Sequence, residues 1–166
     1  MRASVRAGQG DVGHFDHPAG AAVTLQDEAA TLAAGRQLAK QLRAGDVVTL
    51  SGPLSAGKTT LVRGLLAALG HKGEVPSPSF AIVQPYEELR PPVWHVDLYR
   101  IEQPSDLDEL GLDEIVGDGV LIVEWPEHGG RAWPDALALS LEPGEDGSRA
   151  LTARVPAAWE GRWPLR

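Results

Sequence analysis

One segment restricts the fold of this chain more than any other, because a short apolar run, a glycine-bearing turn and an apolar helix follow one another directly. The run VVTL at positions 47–50 is typical of a strand buried on both faces of a parallel sheet. After SGPLSAGKTT, the segment LVRGLLAAL repeats its leucines at helical spacing, and Gly70 closes the helix. A strand, a turn and a helix in this order predict the opening of a βαβ unit.

The turn matches the phosphate-loop pattern GxxxxGK[ST] through Gly52, Gly57, Lys58 and Thr59. Its glycines let the backbone wrap around phosphates, and the following helix points its positive end at the same anion. We expect Lys58 to face solvent and neutralise the β and γ phosphates, while the Thr59 hydroxyl holds Mg²⁺. The chain has only three lysines, so one at this position is informative.

The sequence also bears on which nucleotide is bound. A guanine-specific GTPase of the common type needs an Asn-Lys-x-Asp-like element, and the chain contains no asparagine. None of its lysines is followed two residues later by aspartate. We therefore predict ATP.

Two carboxylates end predicted strands close to this loop in the fold. Asp97 closes the strand VWHV and Glu124 closes the strand VLIV. In open α/β sheets ligands bind at the carboxyl ends of strands, so both carboxylates are candidates to orient Mg²⁺ or the attacking water. His95 is better interpreted as a packing or supporting residue than as a base. Trp125 is a candidate to pack beside the nucleotide, with simple core filling as the alternative.

Composition excludes several classes of protein. The 166 residues, 17.7 kDa in mass, suffice for one ordinary domain, and the net charge of −8 disfavours a basic nucleic-acid surface. With no cysteine there is no disulfide framework, which favours a reducing compartment, by default the cytoplasm. No apolar run approaches the 18 or more residues of a membrane span, and no secretory signal is evident, so we expect neither insertion nor export.

The pattern along the chain predicts a single α/β domain with a phosphate-loop NTPase fold. We expect a mostly parallel central sheet flanked by helices, with a C-terminal antiparallel strand pair. Residues 1–20 are predicted to be a mobile extension, residues 21–156 the domain, and residues 157–166 a loosely packed tail. The predicted helices are Asp27–Arg43, the one after the loop, and Ser105–Ile115. The predicted strands are Ala21–Leu25, Val47–Leu50, Phe80–Val83, Val93–Val96, Val120–Val123, Leu137–Leu141 and Ala150–Val155.

Four elements stand in order along the chain: GPLSAGKTT, VPSPSF, HVDLYR and VEWPE. Together they closely resemble the TsaE (YjeE) family, the ATPase component of the bacterial machinery that makes threonylcarbamoyladenosine in tRNA. The resemblance runs from about Leu25 to Val155. A phosphate loop alone is generic, but its combination with DLYR and EWPE is specific.

The resemblance implies a single phosphate-loop domain that binds ATP and Mg²⁺. It implies that Thr59 and Glu124 lie near the metal, that Asp97 belongs to the catalytic centre with Lys58 and Glu124, and that SPSF is a switch loop. The positions implied to contact the nucleotide are Glu28, Gly52, Leu54, Ser55, Ala56, Gly57, Lys58, Thr59, Thr60 and Arg149. We expect Arg149 to lie in a mobile turn. The chain departs from the family pattern at Pro53, Ser55 and Ser79.

The resemblance further implies that the transfer chemistry resides in the partners TsaD and TsaB, with this ATPase driving their turnover. The net negative charge of the chain agrees with a protein that does not itself bind tRNA. Two alternatives remain open: a small-metabolite kinase, and a non-enzymatic module that uses bound nucleotide only to set its shape. The kinase would need an arginine-bearing lid, yet no lysine or arginine occurs between Arg100 and Arg131.

Overall fold

The computed structural model describes residues 22–76, 83–103, 105–112, 114, 117–130 and 133–163. Within these ranges, seven strands form a single mixed sheet in the order β1-β7-β6-β2-β5-β4-β3. The strands are β1 (Ala22–Leu25), β2 (Val47–Ser51), β3 (Val83–Tyr86), β4 (Val93–Asp97), β5 (Val120–Glu124), β6 (Leu137–Pro143) and β7 (Arg149–Arg154).

The centre of the sheet is parallel and its edges are antiparallel. Strands β6, β2, β5 and β4 run in one direction, whereas β1 and β7 on one side and β3 on the other are joined by antiparallel pairs. The predicted parallel pairing is confirmed for the central strands, as is the C-terminal antiparallel pair, and the antiparallel pairs at both edges make the whole sheet mixed. The connection between β3 and β4 is too short for a crossover, so these two strands can only form a hairpin.

Both faces of the central strands are covered, as their continuous apolar sequences predict. Helices α1 (Glu28–Ala39) and α2 (Lys58–Ala68) cover one face, where Val120 and Ile122 of β5 join the larger core. Leu121 and Val123 point to the other face and pack in a second cluster with Leu107 of α3 (Ser105–Asp108). No helix among the described residues is long and apolar enough to cross a membrane.

Helices α1 and α2 pack with their backbones in close contact at two glycines. A Cβ atom on Gly35 of α1 would collide with the carbonyl oxygen of Leu61, and one on Gly64 of α2 would collide with that of Leu32. Each glycine thus accommodates the backbone of the opposite helix. This contact sets the position of α2, whose first residue belongs to the phosphate-loop motif.

The helix boundaries agree with the sequence at the start of α1 and differ at its end. Asp27 is the N-cap, and its side chain accepts a hydrogen bond of 2.9 Å from the amide of Ala30. The helix ends at Ala39 rather than Arg43, because the next amides bond to carbonyls only three residues back. Helix α3 is likewise shorter than predicted. The predicted extension 1–20, the switch loop SPSF, residues 80–82 of the predicted strand and the helix end at Ile115 lie outside the described residues.

The segment after β7 is packed on the domain, so the prediction of a loosely packed tail is wrong for residues 157–163. Trp159 is fully buried in the larger core, and the guanidinium of Arg162 lies 4.0 Å from the centre of its ring. Arg162 also forms two hydrogen bonds of 2.6 and 3.0 Å with the carboxylate of Asp46. Asp46 directly precedes β2, so the segment is anchored to the strand that leads into the motif loop.

We predict that Arg162→Ala lowers the free energy of unfolding by about 3 kcal/mol, because it leaves the Asp46 carboxylate partly buried without its partner. Urea denaturation followed by circular dichroism measures the effect. Arg154→Ala, at an exposed position of β7, is the control and should change stability by less than about 0.5 kcal/mol. Equal stabilities for the two variants would contradict the anchoring role of Arg162.

Candidate functional site

The motif loop, residues 52–59, connects the end of β2 to the first turn of α2. Gly52, Ser55 and Gly57 have φ values of 144°, 63° and 100°, and a Cβ on Gly52 would collide with the carbonyl oxygen of Leu141 in β6. The two motif glycines thus meet backbone requirements that other residues satisfy poorly. Gly57 is also the N-cap of α2 and supplies no side-chain acceptor, so the first-turn N–H groups remain available to an anion.

The two strand-end carboxylates lie side by side. Asp97 and Glu124 are direct partners in the parallel ladder of β4 and β5, and Leu50 of β2 is the neighbour of Glu124 on the other side. Both carboxylates are almost completely buried. The Thr59 hydroxyl lies 3.4 Å from Oε2 of Glu124, which joins the start of α2 to the end of β5. The predicted positions at the carboxyl ends of neighbouring strands are confirmed.

Lys58 is buried, with 5% of its surface exposed, so the expectation that it faces solvent is wrong. Its ammonium donates hydrogen bonds to the carbonyl oxygens of Gly52 and Pro53 and lies 3.9 Å from the centre of the Trp125 ring. Burial lowers the pKa of Lys58 below 10.5, although Glu124 and Asp97 act to raise it. The site thus holds a desolvated lysine beside two carboxylates, an arrangement of charges typical of functional sites.

A cavity of about 440 Å³ opens at this edge of the sheet. Ten of the residues singled out in the sequence line it: Leu54, Ser55, Ala56, Gly57, Lys58, Thr59, Thr60, Asp97, Glu124 and Arg149. Gly52 lies beneath the loop against β6 and does not line the cavity. Glu28 does not line it either: it is exposed at the start of α1, with an oxygen 3.7 Å from a guanidinium nitrogen of Arg63.

Arg149 is the first residue of β7, so it lies in a strand rather than in the turn expected from the sequence. Its guanidinium donates a hydrogen bond of 3.1 Å to the hydroxyl of Thr31, which is buried in α1. A Cβ on Gly57 would come within 2.7 Å of the Arg149 side chain. The small size of Gly57 therefore leaves the space that this arginine occupies beside the motif loop.

An aromatic group borders the cavity and was only partly identified from the sequence. The centre of the Tyr99 ring lies 4.9 Å from that of Trp125 and 5.9 Å from that of His128. Nδ1 of His128 donates to the carbonyl oxygen of Tyr99 at 2.9 Å and lies 3.2 Å from that of Leu98. Trp125 lines the cavity, as one of its two interpretations predicted, together with Tyr99 and Arg100. The elements DLYR and EWPE contained three of these residues, but no periodicity indicated that their side chains would meet.

His95 is completely buried, and its Nε2 lies 2.5 Å from Oε2 of Glu124. This contact agrees with the interpretation of His95 as a supporting residue rather than a base. Among the described residues, no three or more aspartate, glutamate, histidine or cysteine side chains are grouped so that they could hold a metal ion by themselves. The oxygen donors present are the Thr59 hydroxyl and the carboxylates of Asp97 and Glu124, which are of the type that Mg²⁺ prefers when it also binds phosphates.

Fold and cavity together define an α/β protein with its candidate site at the carboxyl ends of parallel strands, beside a glycine-bearing loop that begins a helix. The sequence model of the family described as "Threonylcarbamoyl adenosine biosynthesis protein TsaE" matches residues 25–151. The chain therefore belongs to the TsaE family of threonylcarbamoyladenosine biosynthesis proteins.

Individual relatives agree with this assignment. The tRNA threonylcarbamoyladenosine biosynthesis protein TsaE of Streptomyces coelicolor is 52% identical over 96 residues, a match that covers 56% of this chain and 65% of that protein, slightly under two thirds. The TsaE protein of Haemophilus influenzae is 36% identical over 118 residues, covering 68% and 75% of the two chains. The crystal structure of Bacillus subtilis YdiB is similar at a TM-score of 0.72 and 30% identity, covering 85% of this chain and 89% of YdiB.

We predict that Gly57→Ala displaces Arg149 from Thr31, because the added methyl group would overlap the arginine side chain. Gly70→Ala is a matched control: Gly70 has a similar φ of 107°, but nothing lies within 4 Å of its added Cβ. In both variants the strained backbone alone should lower the free energy of unfolding by about 1–3 kcal/mol. Urea denaturation and a crystal structure of each variant test this. An unmoved Arg149 in the Gly57 variant would contradict the prediction.

Proposed function

We propose that this protein is an ATP-binding and ATP-hydrolysing subunit required for threonylcarbamoyladenosine modification of tRNA, and that it acts on TsaD and TsaB partners. The observation that carries the proposal is the convergence of Lys58, Thr59, Asp97 and Glu124 on one cavity in a chain of the TsaE family. We place this activity in the cytoplasm, in keeping with a chain that lacks cysteine.

The nucleotide phosphates would bind at the motif loop. The uncapped N-terminus of α2 offers N–H groups and the positive end of the helix dipole. Lys58 now donates to the carbonyl oxygens of Gly52 and Pro53, and phosphate oxygens would be stronger acceptors for its ammonium. The desolvated ammonium gains more from an anion than an exposed one would, because the surroundings of low dielectric constant strengthen the attraction.

Mg²⁺ would be held by the Thr59 hydroxyl and the Glu124 carboxylate, which are already within 3.4 Å of each other. Bound there, the ion would neutralise charge that develops on the phosphate oxygens. Asp97, which lies beside Glu124 in the ladder, would orient a water molecule for attack. The Asp97 carboxylate accepts a hydrogen bond of 2.8 Å from the amide of Tyr99, which fixes its position at the strand end.

Two arginines line the cavity and could supply a cation to the transition state. Arg149 is tied to Thr31 at one wall, and Arg100 follows the strand end that carries Asp97. A cation supplied by a partner chain is the common alternative in phosphoryl transfer. We propose that the TsaD and TsaB partners raise the rate of ATP hydrolysis by adding to, or rearranging, the positive charge that Arg100 and Arg149 bring to the cavity. We also propose that this acidic subunit does not itself bind tRNA.

We predict that Lys58→Ala abolishes the stabilisation of the protein by Mg·ATP. A ligand at about 100 times its dissociation constant stabilises the parent by about 2.7 kcal/mol, which a thermal-shift assay detects readily. Each variant is compared with and without nucleotide, because removal of a buried cation beside two carboxylates also changes the stability of the free protein. Lys40→Ala, at an exposed position, is the control. Equal nucleotide-induced shifts in all three proteins would refute phosphate binding at Lys58.

We also predict slow phosphate release by the isolated chain and clear stimulation by TsaD and TsaB together. The measurement is phosphate release from the purified chain alone, with each partner and with both, accompanied by a gel-shift assay with tRNA. We expect no shift of tRNA by this chain alone. Full activity in isolation, unchanged by either partner, would contradict the proposal, and transfer of the γ-phosphate to a small acceptor would favour the kinase alternative.

A further inference from the structure

The geometry around His95 assigns a role to a residue that the proposed reaction does not yet use. His95 lies on β4 two residues before Asp97, so both side chains emerge on the same face of the sheet. Its ladder partner on β5 is Ile122, yet its Nε2 reaches forward to Glu124 at 2.5 Å. The contact is therefore a diagonal one between two neighbouring strands, made where the imidazole is completely buried.

The hydrogen-bond partners of the ring define which nitrogen donates. An ionised glutamate only accepts hydrogen bonds, so the short contact requires a proton on Nε2 of His95. None of the described residues provides a partner for Nδ1, which is also buried. The contact is therefore a hydrogen bond that Nε2 of His95 donates to the Glu124 carboxylate.

The hydrogen bond holds the carboxylate from β4, while the Thr59 hydroxyl contacts it from the start of α2. Oε2 of Glu124 is shared between two donors, Nε2 of His95 on β4 and the Thr59 hydroxyl at the start of α2. The distance to Nε2 is 2.5 Å and the distance to the hydroxyl is 3.4 Å, so His95 makes the tighter of the two contacts. Oε1 takes part in neither bond.

We propose that His95 is a positioning residue that fixes the Glu124 carboxylate for the Mg²⁺–nucleotide complex. This proposal rests on the proposed function, because the positioned carboxylate matters only if the cavity binds Mg·ATP. A histidine that merely filled space could be replaced by an apolar ring without loss. A positioning histidine needs a donor at Nε2, because hydrogen-bond partners of metal-binding side chains set their orientation and so tune metal affinity and activity.

The kinetic test compares His95→Phe, which keeps a ring but has no donor, with His95→Gln, whose side-chain amide can donate to Glu124. We expect His95→Phe to lower both the apparent Mg²⁺ affinity and kcat by about 10- to 100-fold. ATP binding measured in EDTA should stay within about twofold of the parent, because the loop contacts are unchanged. His95→Gln should recover most of both losses. Tyr86→Phe, which removes a buried hydroxyl from β3 outside the cavity, is the control.

A second measurement tests the hydrogen bond directly in the nucleotide-free parent. Long-range ¹H–¹⁵N correlation spectra of the imidazoles should show a proton on Nε2 of His95. The Nε2 proton should resonate far downfield and move upfield in Glu124→Gln, whose amide oxygen is a weaker acceptor than a carboxylate. A proton on Nδ1 alone, or a resonance unaffected by the Glu124 change, would overturn the proposal even if a variant of His95 failed to fold.

The outcomes separate this proposal from the proposed function. If the parent hydrolyses ATP and His95→Phe has the same kcat and Mg²⁺ dependence, the positioning role is refuted and the function stands. If His95→Phe and His95→Gln lose activity equally, with no change in Mg²⁺ affinity, the role is also refuted. If the parent neither binds nor hydrolyses ATP, the proposed function fails and the role falls with it.

Discussion

Parallel pairing of β4, β5 and β2 determines where the two carboxylates and the motif loop of the candidate site lie. The register places Asp97 opposite Glu124, and Glu124 opposite Leu50, so β4 and β5 end at one level and β2 ends one residue later, at Ser51. The motif loop begins at Gly52, two residues after Leu50, and the backbone contact at Gly35 and Gly64 brings α2 back over the sheet. A shift of one residue in either strand pair would turn a carboxylate to the opposite face.

Lys58 and Glu124, the charged groups next to the motif loop, each contact several neighbouring groups. Lys58 donates to loop carbonyls and lies over Trp125, while Glu124 interacts with His95 and Thr59. Transfer of a cation from water into a buried position is costly, and the lowered pKa of Lys58 reflects that cost. Folding lowers the pKa of Lys58, so between this lowered pKa and 10.5 the unfolded chain binds more protons than the folded one. Over that range the free energy of unfolding therefore rises with pH. An anion in the cavity would offset the same cost.

Local sequence patterns were sufficient for the central strands and for the carboxylates that end them, because a continuous apolar run has few alternatives to a buried strand. They were insufficient at the edges of the sheet, where pairing direction depends on connection length and on distant partners such as β1 with β7. Burial of Lys58 and the ring contacts of Tyr99 and Trp125 arise from tertiary packing. The anchoring of Arg162 to Asp46 joins residues 116 positions apart, which no local pattern contains.

The position of Arg149 has a consequence for the order in which the chain can mature. This residue forms one wall of the cavity, yet it comes long after the motif loop, and its strand also supplies the neighbour of β1. During synthesis from the N-terminus, the loop, both carboxylates and α2 all leave the ribosome before Arg149 does. A nascent or truncated chain that ends before β7 therefore lacks the Arg149 side of the cavity and leaves β1 without its strand partner, so the cavity described above needs the chain through β7.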